Sequence, residues 1–402
     1  MGSGAALDPV PEALGPGSSR PAATPARPLI GRSSAVLGGP ESTGDGPAPR
    51  PGSPLATGPV ATEAPRPRLG PAVGPVGLCI VGCGRFAAFH ARAARRVRPR
   101  VALSFASREA SRAEAYRRRF GGIRAFGSYE AAARDPGVHA LVVCTPHHLH
   151  LEHVRLAASH GKGVLLEKPI ARTVGEADEV LRVAREAGVV LMVGENFHFM
   201  PAFQTARRLL AQGAVGRVRQ VVVVARGYRR PTGWRQRREE TGGGLLVDGG
   251  VHWIHLLRDW GGSIATVTAL APPALFPEAE GEDTVFLLAR FESGAVGLLA
   301  NSLGAPRLPR WQWSWVTGYA GSLGVDNLGR CLWLRGRRGP RLRVFLRDRR
   351  GLRAQLTEFT AALREDRPPR LSPESPREDL AVVRAAYHSM ETGQPVRVGD
   401  AP

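Results

Sequence analysis

Residues 77–87 read Gly-Leu-Cys-Ile-Val-Gly-Cys-Gly-Arg-Phe-Ala, a short apolar run followed at once by the pattern G-x-G-x-x-A. The apolar run predicts a buried strand, and residues 89–97 predict the helix that follows the turn. Gly82 permits a tight turn, Gly84 lets the backbone approach a pyrophosphate, and Ala87 allows the helix to pack closely on the strand. In this strand–turn–helix context the pattern predicts a dinucleotide-binding fold.

The second predicted strand, residues 101–106, ends in Ser107 and Arg108. An NAD enzyme usually has Asp or Glu at this point to bind the ribose 2′-hydroxyl, whereas an arginine suits a 2′-phosphate. The alternative is a solvated arginine in a turn, in a chain that is rich in arginine. We expect NADP as the preferred cofactor, with NAD as the second choice.

Strands and helices go on alternating through the first half of the folded region, which predicts a doubly wound parallel sheet. Further strands are predicted at residues 138–144, 163–166 and 189–193. Ligands bind beyond the carboxyl ends of the strands in such a sheet. Thr145 and Lys168 both follow predicted strands, so we expect them to meet in one crevice.

Lysine is rare in this chain: only Lys162 and Lys168 are lysine among 55 Lys and Arg residues. Arginine can replace lysine as a surface charge, but it cannot replace a compact ammonium with three rotatable donors. Lys168, directly after the apolar run 163–166, is therefore expected to take part in chemistry. Lys162 lies in a turn-like segment, where retention by chance is the better interpretation.

The second half of the folded region follows a different pattern. Strand-like runs between residues 265 and 346 follow one another without helices, which predicts an antiparallel sheet. Helices are predicted at residues 201–211, 242–260, 352–363 and 377–390, and a strand at 218–225.

Asp248 and His252 lie four residues apart in one of these predicted helices, so they share a face and suit proton transfer around one ligand. Taken alone, this spacing is more typical of a helix-surface pair.

Four short motifs resemble, in order and spacing, those of the Gfo/Idh/MocA family of sugar and polyol oxidoreductases. They are Gly82-x-Gly84-x-x-Ala87, Cys144-Thr145-Pro146, Glu167-Lys168-Pro169 and Asp248-Gly249-Gly250-Val251-His252. The resemblance covers about residues 76 to 395. It implies an α/β fold with an N-terminal Rossmann domain and a C-terminal α/β domain with a large open antiparallel-rich sheet, often used for oligomerisation.

The resemblance also implies roles for individual residues. Lys168, Asp248 and His252 match the catalytic positions of the family. The residues expected to bind the cofactor are Gly82, Gly84, Arg85, Phe86, Ser107, Arg108, Thr145, Pro146, His147, His150, Glu167, Lys168 and Asn196. His147 stands where the family usually has Asn.

Substrate contacts are expected from the Gly233-Trp234-Arg235 segment, for which a mobile surface loop is the alternative, and from His255, which could instead be a helix-face residue. No metal site is expected.

We expect an NAD(P)-dependent oxidoreductase that transfers a hydride between a nicotinamide cofactor and a sugar, polyol or related cyclic alcohol or ketone. The alternative is a non-catalytic dinucleotide-binding sensor or interaction protein, because fold alone does not fix function. The presence together of Lys168, Asp248 and His252 favours the enzyme, since a protein without activity need not keep all three.

Composition bounds the remaining expectations. Residues 1–75 hold 16 of the 34 prolines and predict a disordered leader, followed by domains at residues 76–198 and 199–398. The net charge of +20 invites nucleic-acid binding, but the arginines are spread over the whole folded region, so we do not expect it. We read no signal peptide or membrane span, four cysteines that act as small buried hydrophobes, and a cytoplasmic homo-oligomer, dimer or tetramer, that acts on a small molecule.

Overall fold

The computed structural model describes residues 74–97, 100–305, 312–336 and 339–400. The predicted leader, residues 1–75, lies outside the described residues except for its last two. The described part of the chain forms two sheets with helices packed against them.

The first sheet has six strands, all parallel. They are β1 (Val76–Val81), β2 (Val101–Ala106), β3 (Arg124–Phe126), β4 (Ala140–Val143), β5 (Gly163–Leu166) and β6 (Leu191–Val193). Their order in the sheet is β3-β2-β1-β4-β5-β6. Successive strands are therefore added toward one edge up to β3 and toward the other edge from β4 onward, and the order reverses between β1 and β4. Every residue of β1, β4 and β5 is buried, as expected for parallel strands covered on both faces. The reversal creates a crevice beyond the carboxyl ends of the strands.

Helices pack against both faces of this sheet and against one face of the second sheet. Those of the described residues are α1 (Arg85–Arg95), α2 (Ala110–Phe120), α3 (Tyr129–Arg134), α4 (His150–Ser159), α5 (Val174–Glu186), α6 (Asn196–Phe199), α7 (Pro201–Ala211), α8 (Arg238–Thr241), α9 (Val251–Gly261), α10 (Leu352–Glu365) and α11 (Glu374–Thr392). Leu78 and Ile80 face α1, α2 and α10, whereas Cys79 and Val81 face α3, α4 and α5. A helix from the C-terminal end of the chain, α10, therefore completes the core of the first sheet.

The second sheet has nine strands of mixed direction. They are β7 (Val218–Arg226), β8 (Ile264–Leu270), β9 (Thr284–Phe291), β10 (Val296–Ser302), β11 (Trp313–Gly318), β12 (Gly321–Asp326), β13 (Cys331–Gly336), β14 (Gly339–Val344) and β15 (Val396–Arg397). Their order is β14-β13-β12-β11-β7-β10-β9-β8-β15. Only the β7–β10 pair is parallel among these described strands.

One face of the second sheet is covered and the other is open. Along β9 buried and exposed residues alternate, with Leu287 buried and with Phe286 and Leu288 54% and 59% exposed. The covered face packs against α9 and α11. The open face thus exposes large apolar side chains, which is unusual for a protein surface that contacts only water.

The predicted fold class is confirmed, with differences in detail. Strand β3 and helices α2 and α3 were not predicted, and β3 has only three residues, too few to show a period. The helix predicted from Gly242 begins later, because Gly242 and Gly243 have φ of +86° and +159°. A Cβ at Gly243 would lie 2.2 Å from the Tyr387 hydroxyl, so this turn requires glycine. A π-helical turn, Leu246–Gly250, then leads into α9.

The remaining whole-chain expectations concern cysteines and membranes. All four cysteines are free thiols, with Cys79 and Cys83 buried and Cys144 and Cys331 partly exposed. Within the described ranges, no helix combines the length and the apolar character needed to cross a membrane.

Candidate active site

The turn between β1 and α1 has the geometry of an anion-binding loop. Gly82 has φ of +89°, and a Cβ there would lie 3.0 Å from the Thr145 side chain, which favours glycine. A Cβ at Gly84 would meet nothing within 4 Å, so the backbone is open to a ligand there. No described side chain caps the first turn of α1, which leaves its N–H groups and positive end available to a pyrophosphate. The loop thus fits a dinucleotide cofactor.

Arg85 and Phe86 form the first turn of α1, next to this loop. Arg85 is exposed, and Phe86 is half-buried with its ring centroid 5.6 Å from that of Phe89. Both can be reached by a ligand at the loop, as their predicted cofactor contacts require.

The carboxyl end of β2 carries basic side chains at the edge of the crevice. Ser107 is buried, and its Oγ accepts a hydrogen bond from the Glu109 N–H at 3.2 Å. Arg108 is exposed and lies beside the Tyr129 hydroxyl. Glu109 is the first acidic residue after the strand, and its carboxylate is paired with Arg112 at 3.0 Å. This edge therefore offers guanidinium groups to a ligand, without a carboxylate directly at the strand end.

The loops after β4 and β5 are held by buried hydrogen bonds. Thr145 Oγ1 lies 3.0 Å from His153 Nδ1, and the Glu167 carboxylate contacts His90 Nε2. Pro146 follows Thr145 and is partly exposed at the mouth of the crevice. These contacts fix the two loops on which the predicted cofactor residues lie.

His150 is placed differently from its prediction. It is fully buried, with Nδ1 2.9 Å from the Pro169 carbonyl and Nε2 3.2 Å from the Thr145 carbonyl. Burial lowers the pKa of His150 to about 4, so the ring is neutral and donates to one carbonyl at a time. The prediction that His150 binds the cofactor directly is wrong for this arrangement, because no ring surface is open; the ring instead joins two loops.

His147 and Asn196 tie the crevice to later parts of the chain. His147 Nδ1 donates to the Thr241 carbonyl at 2.9 Å, and its Nε2 lies 3.7 Å from Asp248 Oδ1. Asn196 Nδ2 donates to the Arg350 carbonyl at 2.7 Å. Both side chains are nearly buried, and their cofactor contacts stay predictions.

Lys168 and Asp248 meet in the crevice. Lys168 Nζ donates to the Asp248 carbonyl oxygen, and it lies 3.6 Å from the Asp248 carboxylate. The side chains are 11% and 10% exposed, so the pair is accessible at one end only. By contrast, Lys162 Nζ donates to the Asp135 carbonyl at 3.1 Å, before the amino end of β5 and away from this pair. The different interpretation of the two lysines agrees with these positions.

The segment between β7 and α8 contacts the same carboxylate. Arg229 Nη2 and Arg235 Nε donate to Asp248 Oδ2 at 2.9 and 3.0 Å. The Arg235 guanidinium lies 4.2 Å from the Trp234 ring, whose edge-on contact with the His147 ring is 4.7 Å. Trp234 and Arg235 are therefore part of the site, which favours a site loop over the alternative of a free surface loop.

The charges around Asp248 decide its ionisation. Burial raises the pKa of this carboxyl, but the positive charges of Lys168 and Arg235 outweigh burial and bring the pKa well below its usual range. Burial likewise lowers the pKa of His147 well below its usual range, so that ring is neutral. At neutral pH the site holds an ionised carboxylate among fixed cations.

His252 is oriented by the carboxylate of Glu195, which was not predicted as a site residue. Both oxygens of Glu195 lie 2.7 Å from His252 Nδ1. Burial raises the pKa of Glu195, but its contact with His252 outweighs burial and lowers this pKa to about 2. An ionised carboxylate only accepts, so Nδ1 carries the proton and Nε2, bonded to no other described residue, can accept one.

The segment that carries Glu195 also contacts one face of the His252 ring. Phe197 stacks on this ring with centroids 4.4 Å apart and planes 7° apart. Glu195 follows β6 as directly as Lys168 follows β5, so the strand-end rule that identified Lys168 could also have identified Glu195.

His255 does not reach the substrate side. Its Nδ1 donates to Asp379 Oδ2 at 2.9 Å, and its Nε2 lies 3.3 Å from His198 Nδ1. Burial lowers the pKa of His255, but the Asp379 carboxylate outweighs burial and raises it to about 9. The interpretation of His255 as a substrate ligand is wrong for this arrangement, because both nitrogens are occupied and the residue is 4% exposed. The alternative, a helix-face residue packed against α11, describes its position.

A group of possible metal ligands lies next to His255. His198, His255 and Asp259 place ligand atoms within 4.8 Å of one another. Arg207 Nε donates to Asp259 at 2.7 Å, and Arg207 Nη1 lies 3.2 Å from His198 Nε2. Because the guanidinium already supplies the positive charge in this group, we assign it to structure rather than to metal binding.

Two family models match this chain. Residues 76–195 match the family model described as "Oxidoreductase family, NAD-binding Rossmann fold", and residues 203–324 match the "GFO/IDH/MocA C-terminal domain". The two matched ranges cover more than half of the 402 residues. The chain belongs to the Gfo/Idh/MocA oxidoreductase family, and its first domain is an NAD-binding Rossmann fold.

Two curated relatives are similar over part of their length. Trans-1,2-dihydrobenzene-1,2-diol dehydrogenase of Mus musculus is 32% identical over 231 residues, which are 56% of this chain and 66% of the relative. 1,5-Anhydro-D-fructose reductase of Ensifer adhaerens is 36% identical over 197 residues, 48% of this chain and 59% of the relative. The chain thus spans somewhat less than two thirds of each of these relatives.

A solved structure of levoglucosan dehydrogenase in complex with NADH and levoglucosan is also similar. Its TM-score is 0.75 over 81% of this chain and 100% of that chain, at 22% identity. At this identity the likeness establishes the fold.

Proposed function

We propose that this protein is an NAD(P)-dependent dehydrogenase or reductase that acts on a CH–OH group of a sugar, polyol or related cyclic alcohol. The observation that carries the proposal is the convergence of Lys168, Asp248 and the Glu195–His252 pair in one crevice beside the glycine-rich loop. The relatives named above, which include a diol dehydrogenase and a sugar reductase, support this substrate class.

In the oxidative direction the residues of this chain handle the proton and the developing charge. His252 Nε2 takes the proton from the reacting hydroxyl, while Glu195 holds Nδ1–H and stabilises the imidazolium that forms. Lys168 has two ammonium donors beyond its bond to the Asp248 carbonyl, and one of them binds the reacting oxygen. Asp248 accepts a hydrogen bond from a neighbouring hydroxyl. The bound nicotinamide supplies the hydride chemistry.

Arg108 supports NADP as the preferred cofactor. Its guanidinium is exposed at the end of β2, where it can bind a 2′-phosphate, and the nearest following carboxylate, Glu109, is paired with Arg112. An NAD enzyme would use a free carboxylate at this edge to bind the 2′-hydroxyl.

The open face of the second sheet supports a homo-oligomer, a dimer or a tetramer. Leu270, Phe286 and Leu288 expose 54–65% of their surface on strands next to one another. A second copy would bury this apolar face. Four free thiols support a reducing compartment, the cytoplasm.

Two measurements on purified protein, freed of carried-over nucleotide, test the proposal. The first is a binding titration with NADPH and with NADH, and the second is an assay of turnover with cyclic alcohols. We expect saturable binding of both, tighter for NADPH, and turnover that Lys168→Ala and His252→Ala each abolish. Failure of folded protein to bind either nucleotide would refute the oxidoreductase and favour an interaction protein. Full turnover by both variants would refute the mechanism.

A further inference from the structure

The substrate end of the crevice carries more positive charge than its own carboxylate balances. Lys168, Arg229 and Arg235 all have Asp248 within ion-pair distance, and for each it is the only such carboxylate among the described residues. His147, the fourth neighbour, is neutral because burial lowers its pKa. Three cationic side chains share one carboxylate, which leaves an excess of two positive charges within ion-pair distance. Glu195 is not within ion-pair distance of these three cations, and its carboxylate is bonded to His252.

Neighbouring arginines do not share this imbalance. Arg230, the residue after Arg229, pairs with Glu278, and Arg237, two residues after Arg235, pairs with Glu240. Arg230 and Arg237 are therefore each balanced by a carboxylate other than Asp248. General surface composition does not account for two arginines on one oxygen atom.

The two guanidinium groups also keep most of their donors. A guanidinium has five N–H donors, and within the described residues each of these groups bonds to Asp248 through one nitrogen. The side chains of Arg229 and Arg235 are 43% and 35% exposed, so the other donors are accessible. Trp234 supports the Arg235 guanidinium from one side at 4.2 Å, which limits the directions in which it can move.

The open donors lie near the proposed reaction centre. Arg229 and Arg235 contact Oδ2 of Asp248, and Lys168 Nζ lies 3.6 Å from Oδ1 of the same carboxylate. The two arginines and Lys168 therefore contact the two oxygens of one carboxylate. Cations that lack a carboxylate partner of their own favour a ligand that brings its own negative charge.

We propose that the substrate is an anionic sugar derivative, whose carboxylate or phosphate binds Arg229 and Arg235 while its reacting hydroxyl binds Lys168. This inference rests on the proposed dehydrogenase function and narrows its substrate class. Bidentate guanidinium contacts suit both anions, and they add affinity that a neutral sugar cannot gain.

Matched pairs of compounds test the charge directly. With full-length enzyme and saturating NADP⁺, kcat/KM is measured for D-glucuronate against D-glucose, D-galacturonate against D-galactose, and D-glucose 6-phosphate against D-glucose. We expect the anionic member to be preferred by about tenfold or more, since hydrogen bonds to charged groups are worth that much. The better of the carboxylate and phosphate arms identifies the anionic group.

Variants show whether the arginines cause the preference. Arg229→Gln and Arg235→Gln should each lower the ratio of anionic to neutral kcat/KM by about tenfold. Arg230→Gln removes the same charge from the residue next to Arg229. Because Arg230 pairs with Glu278 and not with Asp248, this variant should leave the ratio unchanged. An equal decrease of the ratio in all three variants would show that the overall positive charge of the loop causes the preference, and it would overturn the assignment to Arg229 and Arg235.

Binding measured by calorimetry on the enzyme–NADP⁺ complex separates this inference from the proposed function. Tighter binding of D-glucuronate than of D-glucose without turnover of any compound would contradict the dehydrogenase and support the anion site. Turnover of neutral sugars with no preference for the anionic partners in kcat/KM or in binding would overturn the anion site and leave the dehydrogenase standing.

Discussion

Replacing Glu195 by glutamine should damage catalysis more than binding. The change keeps the size of the side chain but removes the negative charge that accepts from His252 Nδ1. An amide can present its NH₂ group to Nδ1, which allows the other tautomer, with the proton on Nε2. In that tautomer Nε2 cannot take the proton of the substrate hydroxyl. We therefore expect a lower kcat with a nearly unchanged dissociation constant for NADPH.

The size of the effect follows from the contact. Both carboxylate oxygens lie 2.7 Å from Nδ1, and Glu195 is 2% exposed, so water does not weaken the interaction. A hydrogen bond to a charged group contributes about 1.5–3 kcal/mol. Since about 1.36 kcal/mol changes a rate tenfold, kcat should fall by about 10- to 150-fold.

Steady-state kinetics on a confirmed substrate, with NADPH titration in parallel, measures both parts. Glu195→Asp keeps the charge and should recover part of kcat, which a purely structural role would not predict. Glu186→Gln makes the same chemical change on α5, at a side chain that is 62% exposed, and should have no effect. A kcat within twofold of wild type in folded Glu195→Gln would refute the assigned role of the pair.

Three further outcomes can be checked. Arg108→Ala should raise the dissociation constant of NADPH about tenfold and leave that of NADH within about twofold, measured by nicotinamide fluorescence. Phe286→Glu places a charge on the open sheet face and should shift the protein toward monomer in light scattering coupled to size-exclusion chromatography. Burial lowers the pKa of His255, but Asp379 outweighs it and raises it from 6.5 to about 9, so folding binds a proton more tightly. The unfolding free energy in urea should therefore fall by up to about 3 kcal/mol between pH 6.5 and 9, and His255→Gln should lack this component.

Residues at the carboxyl ends of parallel strands could be predicted because their position is a local property. Gly82, Thr145 and Lys168 each follow a short apolar run, and the sheet brings the ends of such runs to one edge. The alternation of elements likewise predicted the first sheet and the run of strands in the second.

Contacts between distant segments could not be predicted in the same way. Glu195 and His252 are 57 residues apart, and their meeting depends on how α6 packs against α9. His150 and His255 show the same limit from the other side. Histidine is a residue type that suits a ligand site, but both nitrogens of each of these rings contact other protein groups. A single sequence does not show that these rings are buried.

The two buried carboxylates of the crevice, Asp248 and Glu195, have different partners, and this difference suggests different roles. Asp248 accepts from two guanidinium groups and lies 3.6 Å from the Lys168 ammonium, so we assign it to positioning cations rather than to proton transfer. Glu195 accepts from an imidazole, the side chain that can gain and lose a proton in that range. In the proposed mechanism, charge stabilisation therefore belongs to the Asp248 side of the crevice and proton transfer to the Glu195 side. A substrate hydroxyl that touches both Lys168 and His252 meets the two functions at one oxygen atom.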